Sequence, residues 1–230
     1  METIILAGGF GKRLQGVVGN VPKPMAPVNN RPFLDYLLDY LILNKTKSVI
    51  ISVFYKYDLV KNHYGISYQG IDITYSIDTK ELGTGGAIKN ALLLTADNNV
   101  FVINGDTYFD VDLNRLFDEH VKSKNDITFS LKPMKNFDRY GIVETDSNGQ
   151  VLSLQEKQYR DKGDIDGGIY LIKKNIFSVF GGSKKFSFND FIKNNLNKVK
   201  VGSVLFDELF IDIGTPEDYN KAHKVLGHLF

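Results

Sequence analysis

Three glycines and two cations crowd one short stretch near the start of the chain, Gly8-Gly9-Phe10-Gly11-Lys12-Arg13. Glycine lets a backbone pass close to a ligand and present its N–H groups. Adjacent cations beside such N–H groups make a site for a polyphosphate. Further on, Lys23 stands between Pro22 and Pro24. Proline fixes its own φ and restricts the residue before it, so Lys23 sits on a stiff stem. A lysine held that rigidly is placed for a task. Two common phosphate motifs fail here. A P-loop would need glycine at Leu6 and Ser or Thr at Arg13, and a dinucleotide fingerprint would need glycine at Leu14. A plain strand–helix turn explains the glycines alone equally well. Lys23, following Arg13 on its proline stem, goes beyond that bland reading.

The elements that must position these groups follow from apolar periodicity. Thr3–Leu6 is a short β-branched, apolar run and reads as a buried strand feeding the glycine loop. Arg31-Pro32-Phe33 opens a helix, with Pro32 suited to its first position and Phe33, Leu34, Leu37, Leu38 and Leu41 on one face. Strands follow at 48–54, 72–77 and 100–104, with helices at 55–64 and from the Gly83–Gly86 turn to Thr95. This βαβαβαβ order predicts an α/β, Rossmann-like, mixed and mostly parallel sheet with helices on both faces. Ligands bind such sheets beyond the carboxyl ends of the strands. Gly8 to Arg13, Thr84 to Gly86 and Asp106 all follow strand ends, so they are expected to converge on one cleft.

After Val121 the pattern changes to short strands at 126–132, 141–145, 151–155 and 167–173, with Asn148-Gly149 as a turn. They are expected to add antiparallel strands flanking the cleft. A helix at 187–196, a strand at 199–206 and a helix capped by Thr215 with Pro216 at its first position complete the chain. No repeat or linker interrupts it, so 1–230 reads as one domain with halves 1–125 and 126–230.

Bulk composition narrows the classes. The chain has 230 residues, 43% hydrophobic and 24% charged, which is ordinary for a globular protein. A net charge of +1 offers no nucleic-acid or membrane face. The lack of cysteine removes disulfides, thiolate catalysis and Cys-zinc sites together. Residues 1–7 carry neither a basic n-region nor a long apolar run, so no signal peptide or membrane span is expected and a cytoplasmic enzyme fits. His63, His120, His223 and His228 show no metal spacing and read as structural or surface residues.

Gly-Gly-x-Gly-x-Arg-Leu at Gly8 to Leu14, followed by Pro-Lys-Pro-Met-x-Pro-Val at Pro22 to Val28, resembles the sugar-1-phosphate nucleotidyltransferases. Lys12 stands where that family usually has Thr. The stretch from Gln15 to Pro27 is most similar to the branch that joins GTP to D-glycero-α-D-manno-heptose 1-phosphate. The resemblance runs along nearly the whole chain and implies the nucleotide-diphospho-sugar transferase fold. It makes 1–125 the nucleotide-binding half and 126–230 the sugar-phosphate half.

Nucleotidyl transfer joins a sugar phosphate to the α-phosphorus of a nucleoside triphosphate and releases pyrophosphate. The nucleophile is already an anion, so no general base is needed. The difficulty lies in bringing two anions together, which calls for a divalent metal on carboxylates and for fixed cations. By the resemblance, Asp106 in Asn104-Gly105-Asp106 and Asp212 in Asp212-Ile213-Gly214-Thr215 hold Mg²⁺. Each acid taken alone could as well be a turn or cap residue. Asp110 reads first as a helix cap and second as a support for the metal. The resemblance makes Arg13, Lys23 and Asp106 catalytic: Arg13 holds the leaving pyrophosphate and Lys23 bridges the reacting phosphates. It sets Leu6, Ala7, Gly8, Gly9, Gly11 and Lys12 around the nucleotide.

Asp78 and Glu81 flank the turn containing Gly83 and Thr84, where the family reads its base. A carboxylate can accept from guanine N1–H and the 2-amino group together. A solvated loop acid is the other reading for both. On the sugar side the resemblance picks out Gly141, Glu156, Lys157, Asp166 and Gly168, with Lys23 shared. Gln158 replaces the family's proline after Glu-Lys, and Asp166 stands where asparagine is usual. Surface ion pairing is the bland reading of Glu156 and Lys157. The expected reaction is guanylyl transfer from GTP to a manno-configured heptose 1-phosphate, giving an activated sugar for surface polysaccharide. Mannose 1-phosphate with GTP, N-acetylmuramate 1-phosphate with UTP, and a non-catalytic nucleotide-sugar-binding homologue are the alternatives.

Overall fold

Alternation along one strand separates two cores. In β1 (Thr3–Leu6) Ile5 enters one apolar cluster and Ile4 the other, as successive side chains of a strand point to opposite faces. The computed structural model describes residues 1–9, 11, 14–19, 21–179 and 182–229. Lys12 and Arg13, both expected at the nucleotide, lie outside these described residues.

In the first half, β1 leads through α1 (Gln15–Val18) to the two-residue strands β2 (Pro27–Val28) and β3 (Arg31–Pro32). Then come α2 (Phe33–Leu43), β4 (Ser48–Val53), α3 (Tyr57–Tyr64), β5 (Ser67–Tyr68) and β6 (Ile71–Ile77). The glycine turn opens α4 (Gly83–Ala91), followed by β7 (Asn99–Asn104), β8 (Thr107–Phe109) and α5 (Leu113–Lys122). The second half adds β9 (Ile127–Phe137), β10 (Val143–Thr145), β11 (Val151–Leu154), β12 (Arg160–Lys173) and α6 (Phe188–Asn195). It closes with β13 (Val201–Leu205), β14 (Phe210–Asp212) and α7 (Pro216–Leu226).

Eight strands form one sheet in the order β13-β9-β12-β7-β1-β4-β6-β5. Only β12 and β5 run against the rest, so the sheet is mixed and mostly parallel, as the element order predicts. Helices α2, α3, α5 and α7 cover one face, and α4 and α6 cover the other. Both clusters draw side chains from both halves of the chain: Ile4, Ile88 and Val102 meet Phe129, Tyr170 and Phe191 in one of them.

Three local expectations are corrected. Pro32 is the cap of α2, at ψ 144°, and pairs within β2–β3 instead of occupying the first helical position. Asp110 caps nothing; Asp112 caps α5, its carboxylate accepting from the Asn114 and Arg115 N–H groups. β12 begins at Arg160, well before residue 167, because Arg160 to Leu131's partner Asp166 form a polar ribbon with β9 that shows no apolar alternation. The β9–β12 register then shifts between Asp166 and Tyr170, where Gly168 adopts φ +76°.

Candidate active site

The carboxyl ends of β1, β4, β6 and β7 supply one side of a cleft. The glycine loop leaves β1 there, Phe54 follows β4, Asp78 follows β6, and Asn104 ends β7 with Gly105 and Asp106 beyond it. Gly105 donates its N–H to the Leu6 carbonyl at 3.0 Å, and a Cβ there would lie 2.5 Å from that oxygen. Only glycine lets the β7 turn lie so close to β1. Gly11, at φ +60°, packs against Lys23: a Cβ on it would sit 3.2 Å from the Lys23 Cβ. The glycine loop and the proline-flanked lysine are thereby in contact.

Lys23 opens a 3-10 turn, Lys23–Met25, whose Pro24 is buried. Its Nζ lies 2.5 Å from Asp106 Oδ2 and 3.7 Å from Asp212 Oδ1. The Lys23 and Asp212 side chains are only 15% and 18% exposed, so water screens that pair little, whereas Asp106 is 37% exposed and more open to solvent. The two acids are brought together by a ladder that sequence reasoning did not detect. Short strands β8 and β14 pair antiparallel, Thr107 opposite Asp212, and Ile213 N–H donates to the Asp106 carbonyl at 3.0 Å. Burial, then the charge of Asp106, push the Asp212 carboxyl above its usual range; Lys23, the Gly214 N–H and Tyr140 oppose that shift. Two like charges held together around an ammonium are a donor set suited to a divalent cation as well. Among the described residues no group of three or more acids or histidines gathers as an all-protein metal cage. A pair of carboxylates completed by phosphates and water is how Mg²⁺ is usually held.

Two cavities meet at this centre. The larger, ≈ 710 Å³, is lined by Gly11, Lys23, Asp106, Gly141, Lys157, Asp166, Gly168 and Asp212 among others. The smaller, ≈ 340 Å³, is lined by Leu6, Gly8, Gly9, Asp78, Glu81, Gly83 and Thr84. Gly9, Lys23, Asn104 and Asp106 line both. Of the residues expected on the sugar side, Gly141, Lys157, Asp166 and Gly168 line the larger chamber. Of those expected at the nucleotide, Leu6, Gly8, Asp78, Glu81, Gly83 and Thr84 line the smaller, Gly9 lines both and Gly11 lines the larger, with Lys23 and Asp106 in the shared wall.

Individual residues differ from expectation. Ala7 is buried, gives its N–H to Ser52 O at 2.8 Å and lines neither cavity. Glu156 also lines neither; its exposed carboxylate pairs with Lys193, which holds it below the usual range. Asp78 accepts from Asn90 at 2.8 Å, and burial pushes its carboxyl up. Glu81 pairs with Lys185 at 2.6 Å at the exposed mouth of the smaller chamber. Asp166 accepts from the Gly168 N–H at 2.9 Å, from the Tyr170 hydroxyl at 2.6 Å and from Asn189, while burial raises its carboxyl. Its oxygens are thus already engaged within the protein. Arg139, Tyr140, Asn104 and Asn189 line the larger chamber without a prior role. Asn104 could be seen to end a strand and Asn189 to lie in a helix's first turn, but no spacing marked any of the four.

The glycine turn of the smaller chamber is also a packing surface. A Cβ on Gly83, at φ +69°, would lie 2.5 Å from the Phe186 carbonyl, and one on Gly86 2.5 Å from the Lys184 carbonyl. The segment entering α6 crosses this turn: Gly85 N–H donates to Phe186 O at 3.0 Å and Phe188 N–H to the Thr84 hydroxyl at 2.9 Å. The very next residue, Asn189, reaches Asp166 in the larger chamber.

Known proteins are similar to this chain in sequence and fold. The family profile described as Nucleotidyl transferase matches residues 2–228. A D-glycero-alpha-D-manno-heptose 1-phosphate guanylyltransferase of Aneurinibacillus thermoaerophilus is 48% identical over 229 residues, 99% of this chain and 99% of its own. A protein of the same name from Campylobacter jejuni subsp. jejuni is 46% identical over 219 residues, 95% of this chain and 97% of its own. HddC from Yersinia pseudotuberculosis, solved as a complex with GMP-PN, is similar at a TM-score of 0.86 and 34% identity, over 98% of this chain and 99% of that one. No helix among the described residues is long and apolar enough to cross a membrane. By sequence along nearly its whole length and by fold, the chain belongs to the nucleotidyl transferase family.

Proposed function

We propose that the protein transfers a guanylyl group from GTP to D-glycero-α-D-manno-heptose 1-phosphate, giving GDP-heptose and pyrophosphate. The observation that carries the chemistry is the meeting of two chambers at Lys23 and Asp106, with Asp212 across from them. The substrate assignment rests on the 48% and 46% identical guanylyltransferases, each matched over nearly its full length. A cytoplasmic enzyme supplying surface-polysaccharide synthesis fits this reading.

The triphosphate lies along the glycine loop, with its base in the chamber of Asp78, Glu81, Gly83 and Thr84. The sugar phosphate enters the chamber of Gly141, Lys157 and Gly168. Asp106 and Asp212 are the side chains that hold Mg²⁺, which supplies charge neutralisation where the two phosphates approach. Lys23 leaves its carboxylate partners to bridge the reacting phosphates; the charge of Arg13 is assigned to the leaving pyrophosphate, and Lys12 adds positive charge for the triphosphate. A sugar-phosphate oxygen attacks the α-phosphorus, its bond to the bridging oxygen of pyrophosphate breaks, and the electron pair leaves on pyrophosphate. No proton has to move. The chain's work is to align two anions and to balance their charge. Asp166, engaged by Gly168, Tyr170 and Asn189, shapes the sugar chamber by holding that turn. Glu156, which lies off both chambers, is left without a sugar contact here.

The test is a matrix of GTP, UTP, CTP, ATP and dTTP against heptose, mannose, glucose and N-acetylmuramate 1-phosphates, read by pyrophosphate release. GTP with the manno-heptose should give the highest kcat/KM. An equal or better pair elsewhere overturns the substrate assignment, and no release with any pair overturns the reaction.

A further inference from the structure

Asp212 is gripped from two sides by unrelated parts of the chain. Its Oδ1 faces Lys23 at 3.7 Å. Its Oδ2 accepts from the Tyr140 hydroxyl at 3.2 Å and lies 3.8 Å from Arg139 Nη2. Arg139 Nη1 in turn pairs with Asp218, whose carboxylate accepts from the Thr215 hydroxyl at 2.7 Å in the cap of α7. Arg139 and Tyr140 immediately precede Gly141, and all three line the larger chamber. A carboxylate with one oxygen held by a hydrogen bond and a nearby guanidinium is fixed in orientation, which keeps its other oxygen directed at Lys23 and the cleft. Such outer partners of a ligating carboxylate typically matter about 10–100-fold in metal affinity.

We infer that Tyr140, braced by Arg139, is a positioning residue for Asp212: its hydroxyl fixes Oδ2 so that Oδ1 is presented to the divalent cation. The affinity for that ion is thereby tied to the segment that walls the sugar chamber. The inference rests on the metal role proposed above for Asp212. Tyr140 also packs edge-on against Phe210, ring centroids 6.0 Å apart, and this contact does not need the hydroxyl. Tyr140→Phe therefore removes the hydrogen bond and keeps the packing.

The experiment uses the full chain and Mn²⁺ as the probe. Free Mn²⁺ is counted by electron paramagnetic resonance, and the Mn²⁺ concentration giving half-maximal turnover is measured alongside. Tyr140→Phe should melt like the parent and bind Mn²⁺ about tenfold more weakly, with the same shift in half-saturation. Asp212→Asn should lose at least as much, and the double variant should be no worse than Asp212→Asn alone, because the hydroxyl acts through that carboxylate. Parental Mn²⁺ binding in Tyr140→Phe, with binding lost in Asp212→Asn, overturns the positioning role. So do losses that multiply in the double variant. Unchanged binding in Asp212→Asn overturns the metal role of Asp212 itself, and the inference with it.

Discussion

Lys23 is the side chain on which both chambers depend. Flanked by Pro22 and Pro24, it reaches two carboxylates contributed by β-strand ends far apart in sequence. Removing a contact of this kind to a reacting phosphate typically costs about 10²–10³ in rate. Lys23→Ala and Asp106→Asn should each lose that much kcat in a pyrophosphate-release assay while keeping a folded circular-dichroism spectrum. Near-parental turnover in either would remove its proposed role. At this scale the sequence was most informative where chemistry constrains residue type. The lysine stem and both acids could be singled out beforehand. Tyr140 and Arg139 could not, because their importance comes from what they touch across the cleft and not from local spacing. For Glu156 the motif suggested a sugar contact and its residue type a surface ion pair; the structure shows the ion pair, with Lys193, which no local motif could name.

Among the elements, α5 is fixed to the sheet by a buried histidine. His120 Nδ1 lies 2.8 Å from the Thr128 hydroxyl on β9 and Nε2 3.3 Å from Asn99 Oδ1 on β7. With the proton on Nε2 for the Asn99 amide oxygen, a neutral ring takes the Thr128 hydroxyl proton at Nδ1, so both ring nitrogens are satisfied without a charge. Burial, and then Lys173, lower its pKa from 6.5 to about 4, with Asp126 opposing. Below about pH 6.5 the unfolded chain takes up a proton that the folded chain refuses. Stability is therefore lost as pH falls from 6.5 towards 4, by up to about 3 kcal/mol from this group. Urea unfolding at pH 7 and pH 5 should show about 2 kcal/mol of that loss in the parent and a clearly smaller one in His120→Gln. An identical pH slope in the two would refute the assignment. The long parallel strands and α2 were legible because buried elements carry continuous or periodic apolar runs. α5 went unread, although Asp112 caps it. β8 and β14 are three residues each and too short for any period, yet they set the distance between Asp106 and Asp212.

At the scale of the whole molecule, each apolar cluster is built from both halves, and β12 of the second half lies against β7 of the first. We propose that residues 1–230 fold as one domain. Calorimetry should then show a single transition with calorimetric and van't Hoff enthalpies equal, and residues 1–125 expressed alone should show no cooperative unfolding. Two resolved transitions would argue for separately folding halves. The parallel sense of β1, β4, β6 and β7 could be anticipated from βαβ alternation. The insertion of β12 between β9 and β7 could not, since nothing local in a strand names its neighbour.

The crossing of Phe186 to Asn189 over the glycine turn has a practical bearing on redesign. That stretch closes on Gly83, Gly85 and Thr84 at one end and on Asp166 at the other. On the proposed assignment of base and sugar to the two chambers, acceptance of a new base and of a new sugar are therefore not modular properties. A library meant to broaden one should diversify 184–189 together with 81–86, and should be screened against both donors and acceptors from the first round.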